Sequence, residues 1–152
     1  MPLSGCPSRP ARPQQDVLDV LADGWSYVTW VVGASRMRGV DAHWPQKGSH
    51  IAHSVGLWPL LIDDVTRSRW WDPDRGIELL AKAWPAGEAL IRIEVLAAPE
   101  GCTVIMAEDA VRGPARLLPR PLRAAALVPR NRETLLRLEM LAVARPASAP
   151  LT

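Results

Sequence analysis

Between Ser35 and Ala110 the chain runs through six short segments in which apolar and polar residues alternate with a period of two, and Gly, Pro and Asp residues separate them at hairpin-like spacing. The spacing predicts strands over Ser35 to Asp41, Ser49 to Val55, Leu60 to Trp70, Gly76 to Trp84, Glu88 to Leu96 and Cys102 to Ala110. Consecutive strands joined by short turns form an antiparallel meander. After Gly113-Pro114 the period changes, and a helix is expected from about Arg120 to Ala144, with Pro129 as a kink or a fresh start. One long helix after a meander has to bury its apolar stripe against one sheet face, which gives an α+β two-layer domain.

Ahead of the meander, Val17, Leu18, Val20 and Leu21 mark a short helix stopped by Asp23-Gly24, and Trp25 to Trp30 reads as a second helical turn. Residues 1 to 13 carry Pro2, Pro7, Pro10 and Pro13, so they are expected to be a loose arm or an edge. The expected layout is a proline-rich arm over 1–13, one domain over 14–145 and a disordered tail over 146–152.

Composition narrows the function classes. The 152 residues suit one domain, and 48% hydrophobic content with 22% charge is incompatible with an intrinsically disordered chain. No apolar run reaches the roughly 18 residues of a membrane span, so a soluble protein is expected. The 18 basic and 16 acidic residues are scattered without a basic cluster, which argues against nucleic acid. Cys6 and Cys102 are far apart and outside any C-x-x-C pair, and are read as forming neither a disulfide nor a zinc site, which suggests a reducing cytoplasm. The string Leu3-Ser4-Gly5-Cys6 matches a lipoprotein cleavage box, but without a basic start or an apolar stretch before it, and is read as chance. No cofactor or metal is expected, and the molecule is expected as a monomer or homodimer.

The segments Leu21-Ala-Asp-Gly-Trp-Ser-Tyr-Val-Thr-Trp30, Trp44-Pro-Gln-Lys-Gly48, His53-Ser-Val-Gly56 and Arg130-Asn-Arg-Glu-Thr-Leu135, in this order of elements, resemble the SRPBCC superfamily. That group includes START-type lipid carriers, pollen-allergen-like proteins and polyketide cyclase/dehydrase-like proteins, and the similarity spans about residues 16 to 144. The resemblance implies a helix-grip fold, in which a seven-stranded sheet curls around the C-terminal helix and leaves a cavity between them. It implies an apolar ligand of lipid or polyketide type, or else cyclase or dehydrase chemistry on such a molecule. Prolines stand where the family's first strand lies.

Strand phase assigns the inward faces. On each strand the less charged phase points to the core, which turns Leu60, Ile62, Asp64 and Thr66 inward on one strand and Ile51, His53 and Val55 inward on its neighbour. Val104, Met106 and Glu108 face inward on the last strand, and Ile77, Leu79, Ala81, Ala83, Ile91, Ile93 and Val95 make apolar walls. His53 and Asp64 fall within reach across one hairpin, so Asp64 is expected to orient the imidazole, and Glu108 to face the pair across the cavity. These three are the candidate proton-transfer groups. The favoured reading, however, is structural: His53 and Asp64 satisfy each other at the edge of the core and Glu108 lies at a strand end in water.

His50 and His53 point to opposite faces and cannot share a metal. Trp30, Trp58 and Trp84 are expected near an opening, where flat amphipathic rings grip apolar molecules, although each is as readily a core residue in a chain without Phe. On the last helix Leu127, Leu135, Leu138, Leu141 and Ala142 form the inward stripe, with Asn131 and Thr134 reaching the cavity. Arg130, Arg132, Glu133, Arg137 and Glu139 are expected outside. Leu136, Met140 and Val143 make a smaller apolar patch to one side. The ligand-binding set expected from the sequence is thus Trp30, Ile51, His53, Trp58, Ile62, Asp64, Leu79, Ala81, Ile91, Ile93, Met106, Glu108, Asn131, Leu135 and Leu138.

Overall fold

A computed structural model describes residues 2–4, 13–83 and 87–145. Seven strands, β1 (Pro2–Ser4), β2 (Ala34–Val40), β3 (His50–Leu57), β4 (Leu60–Asp72), β5 (Gly76–Ala83), β6 (Gly87–Ala98) and β7 (Gly101–Arg112), form one antiparallel sheet in the order β1-β7-β6-β5-β4-β3-β2. Helix α1 (Pro13–Ala22), a short 3₁₀ turn and α2 (Tyr27–Trp30) lie between β1 and β2, and α3 (Arg120–Ala144) follows β7. The six expected strands and the three helical segments are all present, with ends displaced by a residue or two at most of them. Trp84, the tail beyond residue 145 and arm residues 5–12 lie outside the described residues.

The proline-rich start forms an edge strand. Pro2–Ser4 pairs with β7, Ser4 standing opposite Thr103, so the position of the family's first strand is occupied despite its proline. An edge is where a residue lacking an N–H is tolerated, because one side of the strand has no ladder to complete. The same pairing corrects the reading of the cysteines. Cys102, on β7 next to Thr103, is disulfide-bonded, and the chain's other cysteine, Cys6, lies outside the described residues. With Cys102 in a disulfide, the reducing-compartment expectation loses its basis.

The alternation of side chains does what the sequence demands of it on β5, β6 and β7. Ile77, Leu79, Ile91, Ile93, Val95, Val104 and Met106 are buried on one face. On the other face Arg92 bonds Glu94 at 2.8 Å and lies 5.0 Å from the Trp70 ring, a solvated charge network. Irregular register in β2, in β4 near Ser68 and Trp70, and in β6 near Glu88 bends the sheet around its apolar face.

Helix α3 is some 37 Å long at the usual rise, and its two halves differ. From Asn131 onward, Thr134, Leu135, Leu138 and Ala142 are buried, mainly against α1 and α2, while Leu122 and Val128 in the first half are exposed. Leu127 and Leu141 are half-buried, and Leu136, Met140 and Val143 form the exposed side patch that the helical register predicts.

Several segments singled out in the sequence serve as scaffold. Trp44 donates its indole N–H to the Leu21 carbonyl at 3.2 Å, which satisfies an acceptor at the end of α1, and Ser68 donates to the Pro45 carbonyl at 2.7 Å. Gly24 packs so closely under Trp44 that a Cβ there would lie 2.9 Å from the indole ring. Gly56 needs a positive φ of 110°, and a Cβ would come within 2.3 Å of the Leu60 carbonyl oxygen across the β3–β4 hairpin.

Candidate functional site

A cavity of about 290 Å³ lies between the sheet, α2 and the middle of α3. Its walls come from Leu79 and Ala81 on β5, Ala89 and Ile91 on β6, Met106 on β7, Val55 and Ile62 on β3 and β4, and the Val31–Ala34 segment after α2. Most of this surface is hydrocarbon, as the strand phase requires. The polar groups are few: Trp30 and Tyr27 from α2, His53 from β3, Glu108 from β7, Arg130 and Thr134 from α3, and Lys82 at an exposed position of β5.

His53 and Asp64 are direct partners across the β3–β4 register, as the hairpin spacing implies. Their side chains do not form the expected hydrogen bond. The Asp64 carboxylate accepts from the Val65 N–H at 2.6 Å, whereas His53 Nε2 lies 2.9 Å from the Thr66 hydroxyl. That hydroxyl is also 3.0 Å from the Tyr27 hydroxyl, so a buried Tyr27–Thr66–His53 chain replaces the predicted pair. A short carboxylate on a strand reaches its own following backbone more easily than it reaches across the ladder.

Burial, outweighing the attraction of Asp64, holds the His53 pKa below its usual value, and the neighbouring Arg38 pushes the same way. No hydrogen bond to the buried His53 Nδ1 is formed among the described residues, although the Ser54 backbone acts against the depression of its pKa. Burial likewise pushes the Tyr27 hydroxyl up to about 12, so Tyr27 stays protonated.

Glu108 faces the cavity, but it does not stand free and it is not in water. Its side chain is 3% exposed, and Arg130 Nη2 donates to both carboxylate oxygens. The expectation that Arg130 points outward is therefore corrected. Its Cα lies at the flank of the stripe, and the length of an arginine side chain lets the head group turn under the helix while 37% of the side chain remains exposed. A more open cleft of about 510 Å³ runs between β7 and the first half of α3 and shares Met106 and Glu108 with the cavity.

Of the residues expected to contact a ligand, Trp30, His53, Ile62, Leu79, Ala81, Ile91, Met106 and Glu108 line the cavity, as does Thr134. Ile51, Ile93, Leu135 and Leu138 are core residues outside its wall, and Asn131 lines the second cleft instead. Asp64 is buried but not on the wall. Trp58 is also absent from the wall: it is 85% exposed at the tip of the β3–β4 hairpin, with Leu57 and Leu60. There β4 extends beyond the layer that would cover it, so the inward phase of Leu60 has nothing to face. Tyr27 was missed, although its spacing of three from Trp30 places both on one face of a helical turn. Arg130 was missed because helical register locates a Cα and not the end of a flexible side chain.

The curved sheet, the long C-terminal helix and the short N-terminal helices define a helix-grip domain. No protein-family model and no curated protein matches the sequence. Solved structures share the fold: the protein titled Ara h 8.0201 is 8% identical with a TM-score of 0.66, covering 95% of this chain and 99% of that one. A Rhodobacter sphaeroides protein is 20% identical, with a TM-score of 0.67 over 95% of this chain and 91% of its own. The Nitrosomonas europaea protein NE0264 is 16% identical, with a TM-score of 0.66 over 93% and 92%. At such identities the likeness extends to the fold alone. Among the described residues, no helix is long and apolar enough to cross a membrane, and no three His, Cys, Asp or Glu side chains gather as a metal site.

Proposed function

We propose that this chain belongs with the SRPBCC-type helix-grip proteins and binds an apolar small molecule in the cavity between its sheet and C-terminal helix. The observation that carries the reading is the hydrocarbon-walled space of about 290 Å³ itself. Protein interiors close such gaps where nothing is gained by keeping them. A cavity of about 150 Å³ accepts benzene. The larger volume here suits an apolar molecule larger than benzene, of polyketide-like or lipid-like type.

The enzymatic alternative draws support from one feature, a His53 imidazole on the cavity wall whose pKa burial holds below its usual value. It is weakened by its two carboxylates. Asp64 is turned to its own backbone, and Glu108 is held by Arg130, so neither is placed to pass a proton to or from His53. Binding is the simpler function for this set of residues.

Native mass spectrometry of the purified protein tests for a copurified molecule, and naphthalene-sized hydrocarbons should raise the melting temperature and shift tryptophan emission. A flat response across a series of one-ring, two-ring and short-chain hydrocarbons would sink the binding reading.

A further inference from the structure

We propose that one end of the sheet is a docking surface for an anionic lipid bilayer, with the β3–β4 hairpin as its apolar prong and the segment after β7 as its cationic part. The proposal stands on exposed residues, and it goes beyond the binding reading above without depending on it.

In an antiparallel meander every second connection lies at the same end. The β3–β4 turn, the β5–β6 turn and the exit from β7 therefore lie together, as the Leu57–Leu60, Ala83–Gly87 and Glu88–Arg112 pairings record. The β3–β4 hairpin projects furthest. β4 pairs with β5 from Arg67 opposite Leu80, and β5 ends at Ala83, so residues 60–63 of β4 run on beyond it. Four residues at the rise of a strand carry the tip about 13 Å past its neighbour. There Leu57 and Trp58 are each 85% exposed and Leu60 is 81% exposed. The chain carries no charge from Val55 to Ile62, and Asp63, the exposed carboxylate next to the tip, is matched by Arg38 at 3.3 Å. A projecting apolar tip of this kind marks a surface that meets a partner or a membrane.

The same end carries unbalanced positive charge. From Ala110 to Arg132 there are six arginines and no acidic residue, spaced so that no two are adjacent. Arg112, Arg123 and Arg130 are paired with Glu88, Asp109 and Glu108 of the sheet. Arg116, in the 3₁₀ turn Pro114–Leu117, and Arg120, at the start of α3, are exposed and have no ion pair among the described residues. Leu117, Leu118 and Leu122 stand exposed among them.

Exposed leucine beside unpaired arginine, with a tryptophan on a projecting tip, matches the chemistry of a bilayer interface. Leucine and indole gain by entering the boundary between headgroups and acyl chains, which amphipathic elements penetrate by about 5–10 Å, and the guanidinium groups meet lipid phosphates and anionic headgroups. A second copy of this chain fits less well, because a twofold contact brings the patch against itself and the two sets of arginines together. A nucleic acid backbone would satisfy the arginines and leave the leucines in water.

The test is co-sedimentation of the full chain, without added ligand, with vesicles of phosphatidylcholine alone or with about 30% phosphatidylserine. The protein should bind the anionic vesicles about tenfold more tightly than the neutral ones, and raising the salt from about 0.1 to 0.5 M should release it. Trp58→Ser and the pair Leu57→Ser with Leu60→Ser should each weaken binding about tenfold or more. Arg116→Gln with Arg120→Gln should remove most of the preference for anionic vesicles. These side chains are exposed, so the melting temperatures should stay at the wild-type value. The difference in emission between wild type and Trp58→Phe isolates Trp58 from the other tryptophans, and it should shift to the blue on anionic vesicles and be quenched by brominated acyl chains. Absence of binding to anionic vesicles overturns the proposal and leaves the cavity reading intact, because no ligand is involved. Binding that survives both the tip and the arginine substitutions overturns it too. So does a dimer that Trp58→Ser dissolves, in a protein that ignores vesicles, which would give the patch to a second copy. If a serine variant does not fold, the wild-type lipid and salt comparison and the Trp58→Phe difference decide.

Discussion

Arg130 on α3 donates to both carboxylate oxygens of Glu108 on β7, so one ion pair ties the middle of the long helix to the last full strand at the wall of the cavity. The carboxylate is the buried partner and the guanidinium the half-exposed one. Removing either leaves the other without its match, and the loss is greater when the buried group is the one stranded.

Arg130→Met should therefore destabilise the fold by about 1.5–3 kcal/mol, the range for hydrogen bonds to a charged group. Glu108→Leu with Arg130→Met should recover most of that loss, because the double variant strands no charge. Urea unfolding of wild type, both single variants and the double variant measures the coupling. Additive effects would mean that the pair contributes nothing beyond its separate residues.

His53 gives a pH dependence whose sign follows from its depressed pKa. The folded imidazole resists protonation while the unfolded one titrates near 6.5, so the unfolded state binds more protons as pH falls below that value. Stability should decline from about pH 6.5 downward through the folded pKa, and His53 should contribute no pH dependence above that window. Chemical denaturation of wild type and His53→Gln at about pH 7.5 and 5.5 separates this effect from that of His43 and His50, which are common to both proteins.

Tyr27 is the chain's only tyrosine, which makes its ionisation directly visible. Its hydroxyl is pushed up to about 12, so the folded protein should show no phenolate absorbance near pH 10, where the unfolded chain titrates. The sign for stability follows: the contribution is complete below about pH 10 and is lost as pH rises toward 12. Tyr27→Phe removes the hydroxyl at the end of the Thr66–His53 chain and should cost about 1 kcal/mol.

Two enlargements distinguish filled core from cavity. Leu138 is buried away from the cavity wall, so Leu138→Trp should overpack the α1–α3 contact and cost about 1–3 kcal/mol or more. Ala81 lines the cavity, so Ala81→Leu should be accommodated with little loss of melting temperature while it reduces binding of two-ring probes. Paired thermal melts and probe titrations give both readouts. Equal destabilisation by the two changes would mean that the space at Ala81 is not available to added atoms.

The architecture was legible because it depends on local periodicity. The change from period two to period 3.6 after Gly113 marks where the sheet ends and the helix begins, and strand phase placed Ile91, Ile93 and Met106 on the buried face, because alternation is a property of each strand alone. The same rule turned His53 and Glu108 inward. It had less to say at Leu60, where inward has meaning only if another layer covers the strand.

What the sequence by itself determined is thus the element order, the faces and the apolar character of the enclosed wall. The tertiary structure decided which polar atoms meet. His53 bonds Thr66 rather than Asp64, Arg130 turns inward to Glu108, and the β1–β7 pairing brings the N-terminal segment alongside Cys102. Each depends on where the end of a side chain or a distant segment comes to rest. Periodicity places a Cα on a face, but a hydrogen bond requires its donor and acceptor to come within about 3 Å, and the packing of every neighbouring element settles that distance.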